Sequence, residues 1–301
     1  MGQRTIPSET LIRQQLRILE RALPAAKQGD VSRLHEARVA TRRLRERLPL
    51  VLPSSSGRKI VRKVRRLSRA LGPVRELDVA LQTLEEVGSG GEVPSTAITK
   101  LRKLLRQERQ RLHADMCNQV ARIDVDKLRR RAVAAVRKTH SRPTSSRDAK
   151  RVAAAQQRAG RRAVRLRAAI ENAAGLYLPD RLHDVRIAVK KLRYGLELVR
   201  EMRGSRAMAR IATLKEAQDL LGRMHDLEVL IGRVRAVQGS SSAADLRLSA
   251  GLDRLVRRLE TECRQRHGHY VALRRRLIAV CEHTLTTADA TQAGTRESSA
   301  A

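Results

Sequence analysis

His35, Arg38, Arg42 and Arg45 follow one another at intervals of three and four residues, and so do His183, Arg186, Lys190 and Arg193. At about 3.6 residues per turn, each set falls on one face of a helix. Arg43 and Lys191 widen the two stripes, and no carboxylate interrupts either. An ordinary solvated helix face interleaves acids with cations at i,i+4. Guanidinium forks match phosphate oxygens geometrically and stay charged in any surroundings. The chemistry these stripes suit is the capture of an anion rich in phosphate.

The helices carrying them are legible in the apolar positions. Leu182, Val185, Val189, Leu192, Leu196 and Val199 form a seam at 3-4-3-4-3 spacing, matched by Leu34, Ala37, Thr41, Leu44, Leu48 and Val51. Such a seam faces a bundle core, and each basic stripe lies one residue later, beside the seam. The stripes therefore border grooves between helices, where like charges repel unless an anion neutralises them. A following segment adds Arg58, Lys59, Arg62, Lys63, Arg65, Arg66 and Arg69 in the first half, and Arg203, Arg206, Arg210 and Lys215 in the second. Packed against the stripes, these predict one basic channel per half. For the paired His35 and His183, phosphate contact ranks ahead of a structural hydrogen bond. Metal binding ranks last, because a zinc site needs three or four ligands. His267 and His269 do not share a helix face, and no role is assigned to them.

The chain has 301 residues, with 64 Lys and Arg against 31 Asp and Glu, a formal charge of +33. Of the 64 cations 53 are Arg, and this excess points to a polyanionic partner. There is no Phe or Trp, and only 17 Gly and 8 Pro. A Leu, Val, Ile and Ala interior with so few turn residues predicts an all-α protein, not a β-sandwich or barrel. Cys117, Cys263 and Cys281 make no CxxC pair and suit a reducing compartment. No secretory signal or membrane span is evident, so a cytoplasmic protein is expected, with no membrane partner.

Punctuation divides the chain into ten helical segments. The first half reads 8–27, 31–52, 58–71, 73–87 and 95–138, the last with a break near Asp124 to Asp126; Gly72-Pro73 separates the third from the fourth. The second half reads 147–175, 180–202, 205–221, 223–237 and a final helix reaching about His283. Residues 8–138 and 150–285 are predicted as two bundles, 139–149 as their linker and 286–301 as a disordered tail. Residues 34–51 overlie 182–199 without a gap, with nine of eighteen positions identical, and 71–79 overlie 221–229. The expectation is an internal duplication that produces two bundles related by a pseudo-twofold axis. Asp78 and Asp226 read as helix-start carboxylates or partners of the stripe arginines.

The duplicated H-x-x-R-x-x-x-[RK]-[RK]-L-R pattern, at His35 to Arg45 and His183 to Arg193, resembles the CHAD domain, the conserved histidine α-helical domain. The Leu71-Gly72…Arg75-Glu76-x-Asp78-Val79 block and the Arg193-Tyr194 pair fit it too, although His225-Asp226 replaces Arg75-Glu76 in the second copy. The resemblance covers about residues 8 to 285. It implies paired helical bundles that bind inorganic polyphosphate along a basic surface, and targeting to polyphosphate granules and their proteins. Some members carry an N-terminal CYTH domain; none precedes residue 8 here, so triphosphatase activity is not expected. Neither a P-loop, a dinucleotide fingerprint, an HExxH motif nor a nucleophile elbow is present, and no enzyme activity or cofactor is predicted. Three other readings stay open: a nucleic-acid binder indifferent to sequence, a scaffold for an acidic protein, and a metal chelator. The first is disfavoured for single strands by having only Tyr177, Tyr194 and Tyr270 as stacking platforms.

Overall fold

A computed structural model describes residues 7–52, 54–91, 93–140, 145–203, 207–240 and 246–300. Among them the chain is all-helical, in the order α1 (Pro7–Lys27), α2 (Val31–Val51), α3 (Ser55–Gly88), α4 (Ser95–Ala121), α5 (Val125–His140), α6 (Ser145–Ala173), α7 (Pro179–Arg203), α8 (Met208–Ser240) and α9 (Leu246–Ala300). Helix starts follow the capping signals. Asp30 accepts the Arg33 N–H at 2.9 Å, Ser54 accepts that of Gly57 at 3.2 Å, and Asp124 accepts that of Lys127 at 2.7 Å. Gly29, at φ +98°, lets the chain reverse between α1 and α2 where a side chain would be strained.

Gly72-Pro73 predicts a helix boundary that the fold does not have: α3 runs through the pair, and α8 likewise runs through Gly222. Pro73 denies an N–H to the Arg69 carbonyl and crowds it. Leu67, Leu71, Val74 and Leu77 on either side are fully buried, and that packing holds the helix continuous. Asp78 and Asp226 are consequently mid-helix residues, not helix starts. The expected break near Asp124 is present, between α4 and α5. Residues 139–149 are not all linker, because α6 begins at Ser145; 141–144 lie outside the described residues. From 286 the chain continues α9 instead of forming a disordered tail. Thr287 donates to the His283 carbonyl at 2.7 Å and Ala288 is buried, while the side chains of 290–300 and residue 301 lie outside the described set.

Both seams are buried as expected. The first forms a core with α1, the N-terminal half of α3, the end of α4 and α5; the second forms a core with α6, the N-terminal half of α8 and the C-terminal part of α9. A third core was not foreseen. Leu77, Leu84, Ile98 and Leu101 of α3 and α4 pack with Leu227, Leu230, Leu252 and Leu255 of α8 and α9. Both halves supply this central core, so they are fused into one body and not strung on a linker. Ion pairs also join the halves: Arg233–Glu108 at 2.5 Å and Arg223–Glu86 at 2.6 Å beside this core, and Arg47–Glu201 at 2.6 Å and Arg162–Glu46 between α2 and the second half. Each joins a cation on one half to an acid on the other, and Arg47 and Arg162 are almost wholly buried. Carboxylates withheld from the basic stripes are spent here.

Candidate functional site

Fusion of the halves sets α2 against α7 and α3 against α8. The two stripes are thereby brought to one place. A cleft of about 300 Å³ is lined by Arg42 of α2, Arg186 and Lys190 of α7, and Gln218, Asp219, Gly222, Arg223 and Asp226 of α8. Arg38 lies at the same junction, close enough to act on Lys190. The stripes predict one channel per half; the structure instead brings Arg42 of the first and Arg186 and Lys190 of the second into one cleft, while His183 lines a neighbouring recess with His225. A larger recess of about 650 Å³ lies elsewhere, at the loop after α3, with Arg102 and Arg254 as its only cations.

The arginines are positioned by the helix next door. Arg38 Nη1 donates to the Ser68 carbonyl at 2.6 Å, and Arg45 Nη1 reaches the Ser68 hydroxyl at 3.3 Å. The Arg38 guanidinium lies against Gly72, where a Cβ would stand 3.6 Å from Nη1, an ordinary contact. In the second half Arg193 Nε donates to Gln218 Oε1 at 3.0 Å, Gln218 being the counterpart of Ser68. Arg193 is also neutralised by Glu197 at 2.9 Å and lies 4.8 Å from the Tyr194 ring centre.

Electrostatics single out the middle of the cleft. Burial, then Arg186, Arg42, Arg38 and Lys191, push the Lys190 ammonium down to about 8. Burial leads again for Arg38, Arg75 and Arg186, with Arg42 among the depressing neighbours of all three. Asp226 opposes that crowding beside Arg75 and Arg186, as Glu76 does beside Arg38, and burial raises Asp226 itself. Asp219 and Asp226 line the cleft, and Glu76 and Asp78 act on Arg38 and Arg75, yet among the described residues no carboxylate offsets the cations that crowd Lys190, which leaves a preformed positive field in a partly dehydrated cleft.

The histidines flank this centre. His183 Nδ1 lies 3.2 Å from His225 Nδ1, so one neutral ring donates to the other. Burial followed by Arg186 pushes His225 down to about 4, and burial followed by Arg186 also lowers His183. His35 is lowered by burial and then by Arg75, which occupies the position matching His225. All three are neutral at pH 7; one N–H is spent between His183 and His225, so the pair offers a single N–H and His35 another. Among the described residues, no three His, Cys, Asp or Glu side chains gather as a metal site would require.

Other predicted site residues lie at varying removes. Arg43 and Lys191 are exposed at the rim, and the Lys191 carbonyl accepts Arg162 at 2.7 Å. Lys59, Arg62, Lys63 and Arg66 sit on α3 before the cleft, all exposed except half-buried Lys63. Lys215 is exposed on α8. Arg210 does not join the channel; it borders an apolar crevice of about 270 Å³ with Leu196, Thr284 and Ala288. The Arg203 side chain and residue Arg206 lie outside the described residues. The sequence reading did not assign Arg75, Glu76, Gln218 and Arg223 to the site. Arg75, Glu76 and Arg223 were signalled by the Leu-Gly they follow within one helical turn; Gln218, which precedes Leu221-Gly222, carried no such signal.

The class that the fold defines is an all-helical body with a cationic cleft where its two halves meet. Comparison supplies the family: the CHAD domain profile matches residues 10–235, and the chain belongs to the CHAD domain family. A crystal structure of the CHAD domain from the plant Ricinus communis is similar, with a TM-score of 0.60 and 20% identity over 87% of this chain and 90% of that one. PptA from Streptomyces chartreusis gives a TM-score of 0.56 and 16% identity over 94% and 97%. No curated protein sequence matches.

Proposed function

We propose that this protein binds inorganic polyphosphate in the cleft between α2 and α7, without catalysis and without a cofactor, and that it acts at polyphosphate granules in the cytoplasm. The observation that supports the reading is the half-buried group Arg38, Arg42, Arg186 and Lys190, contributed by both halves, in which Asp219, Asp226 and Glu76 leave the crowding of Lys190 by its cationic neighbours unrelieved. An anion with one charge on every repeat unit relieves that repulsion, and a polymer without bases needs no reading surface. Membership of the CHAD family supports the same substrate class. Nucleic acid is the alternative polyanion. Stacking on single strands is disfavoured by the tyrosines: Tyr270 is wholly buried, Tyr177 packs edge-on to His267, and Arg193 lies over the Tyr194 ring.

Labelled long-chain polyphosphate, bound near physiological salt and challenged with duplex DNA, single-stranded RNA and tripolyphosphate at equal phosphate, tests this reading. Salt matters because any polyanion binds a basic protein at low ionic strength. Nucleic acids are expected to displace polyphosphate poorly. Arg38→Glu with Arg186→Glu is expected to weaken binding at least tenfold more than the same changes at Arg254 and Arg257, which are exposed on α9. Equal losses, or displacement by DNA phosphate for phosphate, would sink the proposal.

A further inference from the structure

The basic surface is not shared equally by the two halves. Arg58, Arg62, Arg65 and Arg69 follow at 4-3-4 spacing along one face of α3 and run into Gly72, where the Arg38 guanidinium lies. Counting back from the matched Leu221-Gly222, α8 carries Met208, Ala212, Lys215 and Asp219 at those positions. Four positive charges on one helix thus face a net charge of zero on its counterpart. Asp219 lines the cleft itself, where α3 has Arg69. Two further pairs differ in the same sense. Glu216 replaces Arg66 and pairs with Arg276 at 2.9 Å. Arg193 is neutralised by Glu197, whereas the residue four beyond its counterpart Arg45 is Pro49. Arg62, Arg65 and Arg69 are exposed, with no carboxylate at ion-pair distance among the described residues. Arg158 of α6 adds to the crowding, being lowered by burial and then by neighbouring arginines that include Arg65.

Building on the polyphosphate reading of the cleft, we propose that a bound chain leaves it on one side only, along the Arg62-Arg65-Arg69 face of α3, and that this track makes the protein selective for long chains. The seven helical steps from Arg62 to Arg69 extend the site by about 10 Å at the helical rise of about 1.5 Å per residue. A chain of three phosphates is held by the cleft alone. A longer one gains successive phosphate–guanidinium contacts on α3 and meets no equivalent on α8, where Asp219 repels it. The protein therefore holds polyphosphate in a defined direction relative to its own halves.

The test compares tripolyphosphate with long-chain polyphosphate at physiological salt for wild type and three variants. These are the track variant Arg62→Gln/Arg65→Gln/Arg69→Gln, the cleft variant Arg42→Gln/Arg186→Gln, and the control Arg254→Gln/Arg257→Gln/Arg264→Gln, which removes the same charge as the track variant. Circular dichroism and thermal melting confirm that each is folded. The track variant is expected to keep tripolyphosphate affinity within about twofold and to lose long-chain affinity at least tenfold. Its log–log salt slope should fall by about two, at roughly 0.7 per single-strand phosphate contact. The control should lose less than threefold. Equal losses in control and track variants, or equal weakening of both ligands by the track variant, overturn the proposal. An unchanged long-chain affinity in the track variant, with the cleft variant impaired, refutes the track alone. A cleft variant that binds tripolyphosphate as wild type does refutes the cleft reading beneath it. Duplex DNA that depends on the three arginines as strongly as polyphosphate does overturns the assignment of the ligand.

Discussion

Anion binding in the cleft should take up a proton at Lys190. In the free protein, burial and the neighbouring Arg186, Arg42 and Arg38 hold this ammonium at about 8, against an ordinary 10.5. A phosphate chain among the same groups favours the charged form, so the bound-state value returns toward 10.5 or above. Binding and protonation are then linked, and affinity falls as pH rises through 8. About nine-tenths of the free protein carries the charge at pH 7 and about one-tenth at pH 9, so affinity should drop roughly tenfold across that window. The neighbours do not contribute: the arginines remain charged, and His183 and His225, both pushed below 6.5, are neutral throughout. Isothermal titration at pH 7, 8 and 9, in buffers of differing ionisation enthalpy, reads the affinity and the proton uptake of about one half at pH 8.

Lys190→Arg is the decisive variant, because it keeps the charge and cannot titrate in this range. Its binding should be flat from pH 7 to 9. A wild-type profile as flat as the variant's, or a variant profile as steep as the wild type's, would refute the assignment. Without ligand, folding stability should move the other way. Unfolding restores the ordinary 10.5, so between 8 and 10.5 the unfolded state binds the extra proton and stability rises with pH. Wild type should thus gain melting temperature from pH 7 to 9.5, relative to Lys190→Arg.

Two substitutions test how the cleft is held. A Cβ at Gly195 would stand 3.2 Å from Arg162 Nη1, which donates to the Lys191 carbonyl and pairs with Glu46 across the halves. Gly195→Val should displace Arg162 and cost about 1–3 kcal/mol in urea unfolding, in line with overpacking of a buried site; no change would show that the Arg162 bridge is slack. Pro73→Ala should instead stabilise, by about 1–3 kcal/mol, because it restores an N–H to the Arg69 carbonyl inside a continuous α3. A loss of stability would mean that the proline is needed to open the helix for Arg38 at Ser68.

Sequence alone determined the helical class, the two buried seams and the stripes beside them, because helical periodicity is a local property of residue types. The seam from Leu182 to Val199 specifies its own buried face, and His183, Arg186 and Lys190 follow from it by 100° of rotation. The duplicated stripe and the Leu-Gly block were likewise enough to point to the CHAD family. What no local pattern carries is which surfaces meet. The central core of Leu77, Leu84, Leu227 and Leu252 joins residues far apart in the chain, and only its formation turns two expected channels into one cleft. The depressed Lys190 exists for the same reason, since its neighbours Arg38 and Arg42 lie about 150 positions earlier in the chain. Punctuation misled where packing overrode it: Gly72-Pro73 reads as a stop, yet the buried leucines on both sides keep α3 intact. Arg210 shows the converse error, a cation assigned by proximity in sequence that the turn of α8 carries to another face. Charge composition gives a positive field of +33; the placement of a few carboxylates, in pairs that only the folded chain can form, decided where that field is left open.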